Sequence, residues 1–370
     1  MPVLPAVSAA VYRHVAKPLL FSRDPEDVHD AVTRAGEFFG AHDATRFMTY
    51  MAFAYSDERL RQRVAGIEFP NPIGLAAGFD KDARLVGIMP SVGFGFMEIG
   101  SVTGEPCAGN AKPRLWRLPK SKALVVHFGL KNDGCEAIAA RLAGRRFGIP
   151  LGTSVAKTNC PSTIGPEDGI ADYAKAFAAL ADVGDYTTVN ISCPNAFGGQ
   201  PFTDPGLLDR LLARLSRIPT RKPTFIKLSP DLEEAQADAV VDVAVRRGAR
   251  GFICANLTKD RDAADLSPDE AIPQAGGMSG RAVSVMADAQ IARVYARTRG
   301  KATIIGCGGV FDSDDAYRKI RLGASLVQMV TGMIYEGPQV VGEINRGLVR
   351  LLKRDGYAEI GDARGADAAW

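Results

Sequence analysis

Residues 303–332 read TIIGCGGVFDSDDAYRKIRLGASLVQMVTG. Two apolar runs, Thr303–Gly306 and Ser325–Val330, end in glycine turns, Gly306-Cys307-Gly308-Gly309 and Val330-Thr331-Gly332. Runs of this length that do not alternate with polar residues suit strands covered on both faces. Six more lie upstream: Ile73–Ala77, Gly95–Gly100, Gly152–Ala156, Thr188–Ser192, Thr224–Leu228 and Gly251–Ala255. Helical patterns fall between several of them, at Ile170–Leu180, Gly206–Leu215, Leu232–Arg246 and Ala282–Arg297. Eight strand–helix repeats predict an α/β fold closed as a (β/α)8 TIM barrel. A doubly wound sheet would be expected to carry a dinucleotide fingerprint after its first strand. GLAAGFDKD at 74–82 is not one, and G-x-G-x-x-G occurs nowhere in the chain.

Two stretches break the repeat. Residues 102–150, rich in Gly, Pro and basic residues, predict loops and short elements over one barrel mouth. The segment before the first strand, roughly residues 3–55, predicts two or three short helices, with Asp24-Pro25-Glu26 as a cap and first turn. Its apolar residues, from Val11 and Leu19 to Phe47 and Met51, are too many for a solvated tail. They fit either a helical pair packed on the barrel or, with Arg13, Lys17 and Arg23 interleaved, a surface that dips into a membrane interface. The chain therefore divides into a helical segment, 1–58, and a barrel, 59–370.

Composition narrows the partners. With 45 Lys and Arg against 42 Asp and Glu, the net charge of +3 offers no basic stripe for nucleic acid. No run approaches the ~18 apolar residues of a spanning helix, and the N-terminus is too broken by Pro, Arg, His and Lys for a signal peptide. The six cysteines form no Cys-x-x-Cys pair, which speaks against zinc or an iron–sulfur cluster and for a reduced compartment.

Chemistry is expected where the strands end, at the C-terminal barrel mouth. The first strand runs into Ala77-Gly78-Phe79-Asp80-Lys81, which places a cation there, although such a loop alone is more often a surface turn. The fourth ends in Asn190-Ile191-Ser192-Cys193-Pro194-Asn195. Two carboxamides bracketing a thiol suit a planar ligand with amide and carbonyl edges, because Asn donates and accepts together. An isolated cysteine is usually a buried structural thiol; this setting makes Cys193 a catalytic candidate. Lys227, inside the apolar fifth strand, is costly to bury unless it meets an anion or an electron-rich ring edge. Asn256 adds a third carboxamide. Glycine turns after strands seven and eight are where barrels hold phosphate on backbone N–H groups, so the pattern points to FMN rather than NAD.

AGFDKD, EIGSVT, GNAKPRLWRL, NISCPN, IKLSPDL, GGMSGR, IIGCGGVFDSDDA and GASLVQMVTGMIYEGP resemble, in order, the motifs of the dihydroorotate dehydrogenases, over about residues 60–340. The N-terminal DPEDVH resembles the helical extension of their membrane-associated, quinone-using class. The resemblance implies oxidation of dihydroorotate to orotate in pyrimidine biosynthesis, through FMN to a quinone. It implies Cys193 as the base and Lys81, Asn190, Asn195 and Asn256 as substrate ligands. FMN would be held by Ala77, Gly78, Ser101, Asn190, Lys227, Gly280, Gly309, Val330 and Thr331, with no metal. His29 and Arg117 match the quinone entrance, and the protein would sit peripherally on the cytoplasmic face of a membrane.

The chain departs from that pattern. Cys193 stands where the quinone class usually has serine, and Val126 where a substrate asparagine is expected. Leu130 replaces a phenylalanine, Ser154 an asparagine and Leu257 a threonine, and Ala196 follows Asn195 where threonine is usual. Asn132 and Lys131 are the neighbours placed to compensate for Val126. These replacements motivate a second reading, a flavin oxidoreductase of the same fold acting on another small amide-containing or unsaturated substrate. A third, a catalytically silent flavin-binding or membrane scaffold, is opposed by Cys193, Lys81 and Lys227.

Overall fold

The structure, a computed structural model, describes residues 3–368. Its first helical run comprises α1 (Val3–Val11), a π-helical turn at Tyr12–Ala16, and α2 (Lys17–Phe21). Pro18 sits at the start of α2 and has no N–H for the carbonyl one turn back, which is where the wider turn falls. Val7, Val11, Val15 and Leu19 are exposed and spaced by four. A four-residue step overruns an α-helical turn by roughly 40°. The wider π turn takes back that drift and keeps the stripe on one face.

Asp24 then caps α3 (Pro25–Ala41), its carboxylate accepting from the backbone N–H of Glu26 at 2.8 Å and of Asp27 at 3.1 Å. After His42 comes α4 (Asp43–Phe53). The expected helical segment is thus three runs, the middle one 17 residues long.

The barrel strands are β1 (Ile73–Leu75), β2 (Phe96–Val102), β3 (Leu151–Val155), β4 (Tyr186–Asn190), β5 (Thr224–Lys227), β6 (Gly251–Cys254), β7 (Thr303–Cys307) and β8 (Leu326–Met329). Each pairs in parallel with its successor, and Val327 opposite Ile73 closes the ring. Glycines make room for large rings in the barrel interior. A Cβ on Gly152 would lie 2.1 Å from the Tyr186 ring. Phe96, Tyr186, Phe225, Ile253, Ile305 and Leu326 fill the lower barrel, and Val64 and Phe69 of a small hairpin close it from beneath.

Residues 102–150 hold more order than expected. Leu115–Leu118 and Ala123–Val126 form a hairpin, and Gly277–Gly280 adds a third antiparallel strand from 150 residues further along. Sequence periodicity cannot show this, because the third strand is short and glycine-rich.

Candidate active site

The strand ends open into one cavity. It is lined by Lys81, Cys193, Asn195, Asn256 and Lys227 on its polar sides, and by Ala77, Gly78, Ser101, Asn190, Gly280, Gly309, Val330 and Thr331 elsewhere. Every residue proposed from the sequence for substrate, base or flavin therefore reaches the same space. His29 and Arg117 do not. They line a second, largely apolar cavity of about 640 Å³ between the N-terminal helices and the barrel, with Phe21, Phe39, Phe53 and Phe79 around them. Leu124, on the hairpin, lines both cavities.

Local order in the first cavity comes from the strand ends. Asn190 terminates β4. Its Nδ2 donates to Ser101 Oγ at 2.8 Å, and its Oδ1 accepts from Ser192 N at 3.2 Å and Ser192 Oγ at 3.1 Å. Ser154 takes up the other side of Ser101, oxygen to oxygen at 2.7 Å, filling the place where an asparagine was expected. Asn256 donates to the Ser192 carbonyl at 2.8 Å. Asn195 donates to the Val126 carbonyl at 2.8 Å, and its Oδ1 lies 3.3 Å from His127 Nδ1. Its carboxamide is thus engaged at both ends by the loop that carries Val126.

Asn132 is not available to compensate for Val126. Its Nδ2 donates to Thr103 Oγ1 and the Leu130 carbonyl, and its Oδ1 accepts from the N–H groups of Thr103 and Gly134. Lys131 turns instead toward Glu26, 3.5 Å away. Val126, Leu130 and Leu257 leave that side of the cavity apolar.

Charge in the cavity is perturbed by burial. Desolvation, then repulsion from Lys131, brings the Lys81 ammonium down to about 8; it lies 4.1 Å from the centre of the Phe128 ring. Burial pushes the Cys193 thiol up. The backbone N–H of Asn195 and the positive charges of Lys259, Lys157 and Lys227 oppose that shift. All six cysteines are free thiols.

The cavity fits a flavin nucleotide. Lys227 is buried, yet its ammonium donates to no protein acceptor among the described residues and faces the cavity. At Gly78, with φ at +107°, a Cβ would meet nothing within 4 Å, so backbone lies open beside free space. At Gly309, with φ at +72°, a Cβ would strike Ser284 at 2.3 Å, so only glycine admits this turn. Sequence reasoning missed Phe128, Val283, Gln328 and Ser279 as lining residues. Ser279 Oγ lies 2.8 Å from Thr331 Oγ1. It precedes Gly280 in the quoted GGMSGR stretch, the one signal that could have found it.

The dihydroorotate dehydrogenase family model matches residues 59–352. The chain belongs to the dihydroorotate dehydrogenase family. A relative from Gloeobacter violaceus named dihydroorotate dehydrogenase (quinone) is 41% identical over 356 residues, 96% of this chain and 98% of the relative. One of the same name from Haloarcula marismortui is 39% identical over 95% of this chain and 98% of its own. Among solved structures, the Eimeria tenella enzyme in complex with ferulenol superposes with a TM-score of 0.82 at 28% identity, over 93% of this chain and 96% of that one. The alignments with both of these relatives take in residues of the N-terminal helices as well as the barrel. No helix among the described residues is long and apolar enough to cross a membrane.

Proposed function

We propose that this dihydroorotate dehydrogenase oxidises dihydroorotate to orotate with FMN in the barrel mouth and a quinone as the final acceptor. The observation that carries the reading is the meeting of Cys193, Lys81, Asn190, Asn256 and Lys227 in one cavity, separated by Leu124 from an apolar cavity that holds His29 and Arg117.

FMN, when bound, supplies the acceptor for a hydride. The chain's own groups do the rest. Cys193 Sγ takes the proton from the substrate carbon as hydride leaves the adjacent one. Lys81 offers a cation to a substrate carboxylate, and the carboxamides of Asn190 and Asn256 orient an amide-edged ring. Lys227 would face the electron-rich edge of the flavin, and Gly78, Gly280, Gly309, Val330 and Thr331 would take its phosphate and ribityl chain on backbone and hydroxyl groups. The second cavity would take an apolar quinone, and Leu124 lines both cavities. Residues 1–58 would serve as quinone access and as a peripheral contact on the cytoplasmic face of a membrane, through the exposed Val7–Leu19 stripe and Phe38, Phe47 and Met51.

The test is a purified, yellow protein whose released flavin is FMN and whose flavin is bleached by dihydroorotate and restored by a soluble quinone analogue. A colourless protein that takes up no FMN, or a flavin that dihydroorotate leaves oxidised, would overturn it. The apolar wall of Val126, Leu130 and Leu257 favours one second reading, a related substrate with a less polar edge. That reading predicts weak orotate binding with FMN in place.

A further inference from the structure

We infer that Asn110 is a positioning residue for the Cys193–Phe197 segment, and that the Glu26–Arg114 pair ties its placement to the docking of the N-terminal helices. Glu26, in the first turn of α3, is 3% exposed. It accepts from Arg114 Nε at 3.1 Å and Nη2 at 2.8 Å, a bidentate contact across 88 residues of sequence. The remaining nitrogen of Arg114, Nη1, donates to the carbonyls of Ala108 at 2.8 Å and Asn110 at 2.7 Å. One guanidinium thus joins the N-terminal helices to the loop over the barrel mouth.

Asn110 carries the connection inward. Its Nδ2 donates to the carbonyls of Asn195 and His127, each at 3.1 Å, and its own N–H to the Phe128 carbonyl at 3.0 Å. Its Oδ1 accepts from Asn159 Nδ2 at 3.0 Å, and Asn159 Oδ1 accepts from the N–H of Phe197 at 2.6 Å. Lys157 Nζ closes the same stretch from the other side, donating to the Phe197 carbonyl at 2.7 Å. The segment is therefore gripped at Asn195 and on both sides of Phe197. Beyond the grip, Gly198 and Gly199 take φ near +70° and Phe197 is exposed, as a hinged flap would be.

The grip matters because the N–H of Asn195 faces the Cys193 sulfur. Fixing the Asn195 carbonyl restrains the residue that carries this N–H, one φ/ψ pair away, so Asn110 acts on the thiol through the backbone and does not itself line the cavity. The charged and titratable groups facing the thiol are Lys157, Lys227, Lys259 and Tyr173. None of them is altered by a change at Asn110 or Glu26.

The inference rests on Cys193 as proton acceptor for its kinetic arm only; its structural arm reads the segment directly. Hydrogen exchange of amides 195–200 would be measured on the flavin-loaded full chain for wild type, Asn110→Ala, Asn110→Asp, Glu26→Gln and Arg114→Lys. Exchange should rise about tenfold in Asn110→Ala and several-fold in Glu26→Gln and Arg114→Lys. Asn110→Asp keeps the acceptor for Asn159 and should fall between Asn110→Ala and wild type. In the same proteins, flavin reduction by dihydroorotate should slow about tenfold for Asn110→Ala and its rise with pH should move to higher pH. Reoxidation of that variant by quinone should not change. Unchanged exchange in folded Asn110→Ala overturns the positioning role. Unchanged exchange in both Glu26→Gln and Arg114→Lys overturns the tie to the N-terminal helices. Should dihydroorotate fail to reduce the wild-type flavin, the proposed substrate falls while the exchange result still decides this inference.

Discussion

His29 Nε2 lies 2.8 Å from the carbonyl oxygen of Phe79, and the two rings meet edge to face at 5.2 Å. The contact joins α3 to the loop that follows β1, two residues ahead of Lys81. A carbonyl accepts, so Nε2 carries the hydrogen, and Nδ1 is left toward Asp30 at 3.6 Å. Burial, then the charge of Lys81, holds the imidazole down to about 4.

That value sets a pH dependence of stability. The folded imidazole titrates near 4 and the unfolded one near 6.5, so between these values the unfolded chain binds more protons. Stability linked to His29 is complete above pH 6.5 and is lost progressively as pH falls toward 4, by roughly 3 kcal/mol at the limit. His29→Gln keeps a donor for the Phe79 carbonyl and removes the titration. Thermal melts at pH 7 and pH 4.5 should therefore differ less in the variant than in wild type. An equal difference in both would show that the imidazole is not held neutral.

Cys193→Ala should keep its flavin and lose about 10²–10⁴-fold in the rate of flavin reduction by substrate, the usual worth of a general base. Cys193→Ser should keep a measurable part. Since burial raises the thiol above its ordinary value near 9, the wild-type rate should climb through pH 7–9 without a plateau. Rapid mixing reads all three, and near-wild-type reduction in the alanine variant would make Cys193 a bystander.

Val126→Asn should tighten orotate, read as a shift of the flavin spectrum on titration, by roughly fivefold to a hundredfold. The hydrogen bond from Asn195 Nδ2 to the carbonyl of residue 126 does not depend on the side chain at 126 and should survive. Unchanged or weaker binding would mean that the Val126–Leu130–Leu257 wall is matched to a different ligand.

Phe47 and Met51 are exposed on α4. Replacing both with Glu should leave Tm within a few degrees, since little packing is lost, and abolish sedimentation with phospholipid vesicles. Detergent should stimulate wild type and not the variant when a long-chain quinone is the acceptor. Equal vesicle binding by both proteins would leave these side chains without a membrane role.

The barrel was legible in the sequence because its determinants are local. Each strand is a short apolar run and, β3 apart, soon meets Gly, Pro or Asn, and the βα repeat that covers both sheet faces leaves one way to close the ring. Cys193, Lys81, Lys227 and the asparagines could be read for the same reason: in a barrel, a residue that ends a strand reaches the mouth wherever its strand stands. Residues of the glycine turns at 306–309 and 330–332 reach the mouth by the same logic.

Pairing across the chain was another matter. Asn132 looked free to replace a missing ligand and is instead consumed by Thr103, Leu130 and Gly134. Ser154 settles against Ser101, Gly277–Gly280 joins a hairpin 150 residues upstream, and Glu26 finds Arg114. A hydrogen-bonding side chain carries no mark of its partner. Several donors of the right type lie in the chain for each acceptor, and only the packing of helices and loops around the closed barrel selects among them. The sequence by itself determined which residues arrive at the mouth; the tertiary structure decided how much of each side chain's hydrogen-bonding capacity is left for a ligand, because an N–H or lone pair already bonded within the fold cannot also be given to one.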